Sequence, residues 1–297
     1  MEETVSKKGH ISAFVTVLIW GTAFISTRVL LTDFIAVEIL FYRFSIALLV
    51  LLLAYPRRLK GTDKKQELVF AAAGLCFTLY FLLENLALTH TAASNVGVII
   101  STSPFFTALI AGWLLEGEKP KANFFVGFLA AIVGILLISF SRSGAMVFNP
   151  VGDLLALAAA FTWSVYSIVL RKVGQFGHHT IQTTRRIFGY GLVILLPVLF
   201  LFLFEWGIAR FAQPVNLLNI LFLGLGASAI CFATWNVAVR KLGAVKTSVY
   251  LYLVPVITVV ASVLVLEESV TWLSAIGTIL TLVGLFVSGM KFKRRSR

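Results

Sequence analysis

Charge is what this sequence has least of. Only 13% of its residues are charged, and just 13 of them are acids. A soluble domain carries about 25% charged residues and needs them to cover its surface. A water-solvated globule is thereby excluded. Cysteine is equally sparse: Cys76 and Cys231 both lie inside apolar runs and read as small core residues, so a disulfide framework is excluded. The adjacent His178 and His179 are a poor ligand set, and no metal is expected. The chain lacks a phosphate-binding loop, an H-E-x-x-H and a G-x-S-x-G. ATP hydrolysis and intramembrane proteolysis go with them; neither an enzyme nor a cofactor is expected.

What is abundant is hydrocarbon. The chain is 59% hydrophobic, with a mean hydropathy of +0.95. A helix needs about 20 apolar residues to cross a hydrocarbon core of ~30 Å. Apolar runs of that length give ten spans: 11–31, 34–55, 66–88, 93–115, 122–141, 152–171, 180–204, 215–239, 246–266 and 271–290. Backbone groups in lipid must be satisfied within their own segment, which predicts an all-α membrane protein. The first run is no cleaved signal. It exceeds a typical leader core, has no small-residue cleavage site after it, and carries Arg28 in its last turn.

The formal charge of +12 invites a nucleic-acid reading, so its placement decides. With ten spans, 19 Lys and Arg fall on the side of the termini, including Lys7, Arg57, Lys64, Arg240 and the basic tail 292–297, against Arg142 and Arg210 opposite. That bias orients a membrane protein with both termini cytoplasmic. The expected location is the cytoplasmic membrane, with the lipid bilayer as partner, no nucleic acid, and function as a monomer.

The chain also repeats itself. Trp20, Arg28 and Arg43 recur as Trp163, Arg171 and Arg186, each displaced by 143 residues. Asn85, Pro104 and Glu116 recur as Asn236, Pro255 and Glu267, displaced by 151, and Gly127 and Gly134 as Gly277 and Gly284, displaced by 150. Offsets that hold within segments and shift at loops divide the chain into two five-helix halves, 1–141 and 150–291. Five is odd, so the halves enter the membrane from opposite sides. Inverted repeats of this kind belong to secondary transporters, whose substrate sits near the midplane between the halves.

These features resemble the drug/metabolite transporter superfamily: W-G-T-A-F at 20–24, Arg43 echoed by Arg186, mid-helix Pro104 and Pro255, and glycine-spaced fifth helices. Within it the chain is most similar to the EamA-type exporters, and among those to the YddG-type amino-acid exporters. The resemblance spans nearly the whole chain. It implies a ten-helix carrier with a central cavity lined by helices 1, 3, 4, 6, 8 and 9.

Several residues are candidates for the chemistry. Trp20, Trp163 and Trp235 lie inside spans, where an indole N–H needs a partner that hydrocarbon cannot supply. They read as helix packing or as a cavity wall, with Tyr166 one turn beyond Trp163. Tyr80 and Glu84 share a face of helix 3, and a carboxylate within a span is costly unless paired, protonated or wet. Glu84 suits a pair with Arg28, an ammonium-recognising group or a protonatable coupling site. Asn85 and Asn236 suit either substrate or interhelical hydrogen bonds. Pro104 and Pro255 each remove a helix bond at midspan, predicting kinks flanked by Ser101, Tyr250 and Tyr252. Arg28 and Arg43 with Glu84 or Glu267 form one expected charged cluster, at the external end. Arg171 and Arg186 with Glu116 form the other, inside. Each cluster is a fixed staple or a gate. The expected function is export of small metabolites, amino acids above all, by alternating access. An exporter of drugs or small organic cations is the alternative within transport, and a channel-like pore the alternative outside it.

Overall fold

The computed structural model describes residues 2–91, 93–114, 120–143, 149–202, 204–257, 260 and 271–289. Every regular element among them is helical. Helices α1 (Glu2–Leu30), α2 (Ala36–Ala54) and α3 (Lys64–His90) come first. A broken span, α4 (Ala93–Ile100) and α5 (Ser103–Leu114), follows, then α6 (Ala122–Ser143). The second half begins with α7 (Pro150–Gln175) and α8 (Thr180–Leu201). Helices α9 (Pro214–Leu221) and α10 (Cys231–Leu242) form one continuous span through an irregular stretch, Phe222–Ile230. Last come α11 (Ala244–Ser248), running on to Ile257, and α12 (Trp272–Gly289). Among the described residues, six helices are long and apolar enough to cross a membrane, and four shorter apolar ones complete ten segments. The protein is a multi-pass membrane protein.

Local chemistry sets the helix ends. The Asp63 side chain accepts from the Gln66 N–H at 2.7 Å and starts α3. Asn149 does the same for Gly152 at the head of α7, where Pro150 occupies the first turn. Gly243, with φ of +91°, lets α10 turn into α11 through a single residue, a backbone shape that L side chains resist.

Both prolines sit at irregularities. Before Pro104 the helix opens at Ser101–Thr102, and the Ser164 hydroxyl of α7 donates to the Ser103 carbonyl at 2.8 Å, joining α7 to the break. Before Pro255 the chain tightens to 3₁₀ turns over Val249–Tyr252. A third irregularity has no proline. Over Phe222–Ile230 the turns widen to i→i+5 bonds, which turns backbone carbonyls and side chains out of the regular helical register.

The core is aromatic. Phe77 lies 4.6 Å from Phe44, 4.7 Å from Phe188 and 4.7 Å from Phe232, joining α3 to α2, α8 and α10. Helix α3 packs along α7, α1 along α10, and α2 against α8. Helices α6 and α12 pack along each other through glycines: a Cβ on Gly134 would stand 2.5 Å from the Gly277 carbonyl oxygen. Only a missing side chain permits that approach.

Candidate functional site

A cavity opens between the halves, with about 640 Å³ of empty space including its mouth. Its walls come from α1, α2, α3, α4, α7, α10 and the segment after α11. Of the residues expected at a binding site, Trp20, Tyr80, Glu84, Ser101 and Trp163 line it. Thr27 and Glu84 lie near the ends of α1 and α3, and Gly97 near the start of α4. The cavity therefore runs from mid-bundle toward the end opposite the N-terminus.

Toward the N-terminal end it is closed. Trp20 packs 5.3 Å from Trp163 and 5.1 Å from Trp235, and Tyr80 caps Trp163 at 4.8 Å. Beyond them Thr16 and Thr234 bond hydroxyl to hydroxyl at 2.7 Å. His10 Nδ1 and the Tyr250 hydroxyl meet at 2.6 Å, tying α1 to the segment after α11.

Two ionisable side chains face this aromatic space. Arg43, 3% exposed, lies in the second turn of α2. Its Nε donates to the Ser228 hydroxyl at 2.7 Å, and its guanidinium lies 4.2 Å from the centre of the Phe81 ring. Glu84 is 7% exposed, and its Oε2 has no hydrogen-bond partner among the described residues. The two groups feel each other electrostatically yet form no direct ion pair. Trp163 adds an indole N–H that is also unpartnered among the described residues, whereas the Trp20 indole donates to the Ala227 carbonyl at 2.9 Å. The Tyr80 hydroxyl engages the Glu84 carboxyl, which leaves one buried carboxyl oxygen and one buried indole donor open in a walled space, an arrangement suited to a ligand that completes them.

The other expected residues lie elsewhere. Asn85 donates to the Ala36 carbonyl at 3.3 Å and Asn236 to the Thr184 hydroxyl at 2.6 Å; both join helices and neither lines the cavity. Tyr166, Trp235 and Tyr252 are buried in the packing behind the wall. Tyr250 belongs to the seal with His10.

Of the expected charged clusters, Arg43 does lie with Glu84, but as part of the cavity wall and with no direct ion pair between them. Arg186 pairs with Glu67 at 2.7 Å, and Tyr190 donates to the same carboxylate at 2.6 Å. The expected partner Glu116 lies outside the described residues, as do Glu267 and the Arg28 side chain. Arg171 donates to the Arg240 carbonyl at 3.1 Å.

At the end opposite the termini, the pair is one that sequence reasoning missed. Glu38, 2% exposed, accepts from Arg210 at 2.9 Å and from the backbone N–H groups of Ile35 and Glu205. Those bonds hold the Arg210 guanidinium above its ordinary pKa, so it stays a cation at any physiological pH. The signal was in plain view: Glu38 is the lone acid in the run 34–55. Ser228 and Phe232 were missed too, because nothing in a G-L-G-A-S stretch announces an irregular helix.

The family model for the EamA-like transporter family matches residues 7–140 and again 150–290. Over 97% of this chain and 99% of the relative, it is 28% identical to an uncharacterized transporter of Archaeoglobus fulgidus. It is 24% identical, over 98% of both chains, to a probable amino-acid metabolite efflux pump of Escherichia coli strain K12. A crystal structure 21% identical to it aligns with a TM-score of 0.78 over 96% of this chain and 98% of that one, which speaks to the fold. The chain belongs to the EamA-like transporter family, and it is a transporter rather than an enzyme.

Proposed function

We propose that this protein exports amino acids or closely related small zwitterions across the cytoplasmic membrane by alternating access. The observation that carries the reading is the separated pair in the cavity. Glu84 and Arg43 face one aromatic space without bonding each other, so a zwitterion can bridge them, ammonium to Glu84 and carboxylate to Arg43. Aromatic walls from Trp20, Tyr80, Phe81 and Trp163 favour an apolar or aromatic side chain. The name of the Escherichia coli relative points the same way.

The two family matches are read as inverted repeats, residues 1–141 and 150–291, with the tail 292–297 on the cytoplasmic side. The excess of Lys and Arg at the terminal end supports cytoplasmic termini. In that orientation the cavity faces outward and the Trp–Tyr–His seal lies inside. The protein acts as a monomer on a small-molecule substrate.

A second reading has its own support: one acid among aromatic rings also suits a small organic cation. Uptake of a labelled panel into proteoliposomes, with and without a pH gradient, tests both. Saturable counterflow of amino acids is the expected result, and it also excludes a channel. Uptake of amines with no uptake of amino acids would overturn the first reading in favour of the second.

A further inference from the structure

The irregular stretch Phe222–Ile230 holds two residues of the cavity wall, Trp20 and Arg43, through two consecutive positions. The Ala227 carbonyl accepts the Trp20 indole at 2.9 Å, and the Ser228 hydroxyl accepts Arg43 Nε at 2.7 Å. In a regular helix each carbonyl is taken by the N–H four residues on, and successive side chains turn by a fixed angle. The widened turns relax both constraints, leaving a carbonyl and the next hydroxyl to reach α1 and α2 respectively. Ser228 is fully buried and does not line the cavity, so it acts on a substrate only through Arg43.

Two contacts fix the arginine: Nε is held by Ser228, and the guanidinium carbon lies 4.2 Å from the centre of the Phe81 ring. With Nε occupied, the two terminal nitrogens are the ones left for a ligand, and a guanidinium presenting both of its ends is a fork for a carboxylate. The corresponding arginine of the second half has no such anchor: Arg186 spends its Nε and Nη2 on the Glu67 carboxylate.

We infer that Ser228, set by the irregular turn of the α9–α10 span, is a positioning residue that aims Arg43 at the substrate carboxylate and so makes the site selective for acids over the corresponding amines. The inference rests on the amino-acid reading above and names the group that enforces it.

The test uses the full-length protein in proteoliposomes, unaltered and as Ser228→Ala and Ser228→Thr. Each is given one labelled apolar amino acid and, separately, the labelled amine that lacks its carboxyl group. Ser228→Ala is expected to raise KM for the amino acid about tenfold, the loss of one charge-assisted hydrogen bond, and to leave the amine within twofold. Ser228→Thr, which restores a hydroxyl, returns the amino acid to within threefold. Should Ser228→Ala fail to fold, Ser228→Cys carries the same expectation, because a thiol sulfur is only a weak acceptor for the Arg43 Nε–H. Equal losses on both substrates, or an unchanged KM for the amino acid, would overturn the positioning role while the amino-acid reading stands. Unaltered protein that carries the amine and not the amino acid, or neither, overturns that reading, and the positioning role with it.

Discussion

Arg43 and Arg186 stand 143 residues apart, at matching places in the two family matches. One is buried beside a cavity, bonded to a neutral hydroxyl and resting on a phenyl ring. The other has a side chain 47% exposed and is tied to a carboxylate and a tyrosine at the end of the bundle nearest the termini. The backbone positions are duplicates; the surroundings are not. Counting 151 residues back from Ser228 arrives at Phe77, the centre of the phenylalanine core, so the hydroxyl that anchors Arg43 has no counterpart for Arg186. The two family matches share the arginine, while the facing helices differ, so that Arg43 lines the cavity and Arg186 pairs with Glu67.

The sharpest way to break that contrast is to neutralise each arginine in turn. Arg43→Gln removes a cation from the cavity and leaves Ser228 and Glu84 without their neighbour. Amino-acid kcat/KM is expected to fall about 10- to 100-fold, the scale of a charge-assisted hydrogen bond of ~1.5–3 kcal/mol. Arg186→Gln should leave it within threefold. Initial rates of counterflow in proteoliposomes measure both. Equal losses would return Arg43 and Arg186 to equivalent roles.

Next in size is the buried carboxylate at the other end. Glu38 takes four hydrogen bonds, two from Arg210 and two from backbone N–H groups, and joins the α1–α2 corner to the loop before α9. Glu38→Gln gives up the charge and part of that set. A loss of about 1.5–3 kcal/mol in unfolding free energy in mild detergent is expected, with substrate KM unchanged. A change in KM with no change in stability would make this clasp part of the transport cycle. Comparable in cost but different in kind is Gly134→Ala, which sets a Cβ 2.5 Å from the Gly277 carbonyl oxygen. Overpacking of this sort costs about 1–3 kcal/mol. It should leave the ratio of amino-acid to amine transport as it was, because α6 and α12 supply no cavity residue.

Much of this architecture was legible in the sequence because lipid leaves so little choice. Length and hydrophobicity alone mark the spans, and the seven-residue spacing of Gly127 and Gly134 marks the α6–α12 contact. Trp20, Tyr80, Glu84 and Trp163 stood out because polar atoms in a span need a reason. What could not be read was direction around each helix. Asn85 has the same credentials as Glu84 and sits next to it, yet one residue is 100° of rotation, enough to turn Asn85 onto the Ala36 carbonyl of α2. Depth alone places Arg43 and Glu84 together near one end; that the cavity reaches that level is visible only in the structure. The partner of Arg186 was sought at Glu116, the acid the repeat offered, and found at Glu67, which the repeat does not duplicate. The irregular turns of Phe222–Ile230 left no mark, since small residues are equally at home in a regular helix.

The smallest effect is expected at Arg186 and Glu67, and it bears most directly on how the halves move. The two charged clasps lie at opposite ends of the bundle, and each joins the first half to the second: Glu38 to Arg210, and Glu67 to Arg186. Both are formed in one structure, beside a cavity lined from mid-bundle toward the end opposite the N-terminus. Gates that break in turn would not be expected to be closed together, so the expected behaviour of both clasps is that of staples. The seal that does follow the cavity is the packing of Trp20, Trp163 and Trp235 with the His10–Tyr250 bond. For Glu67 and Arg186, side-chain exposures of 22% and 47% mean a wet, screened pair. A double-mutant cycle of Glu67→Gln and Arg186→Gln should return a coupling of about 0.2–1 kcal/mol that shrinks with added salt. Labelling of a Ser101→Cys thiol in the cavity wall, from each side of the membrane, should be the same with and without Glu67→Gln, because a staple bears equally on both facings. A shift toward labelling from the side of the termini would make Glu67–Arg186 a gate and leave Glu38–Arg210 as the staple.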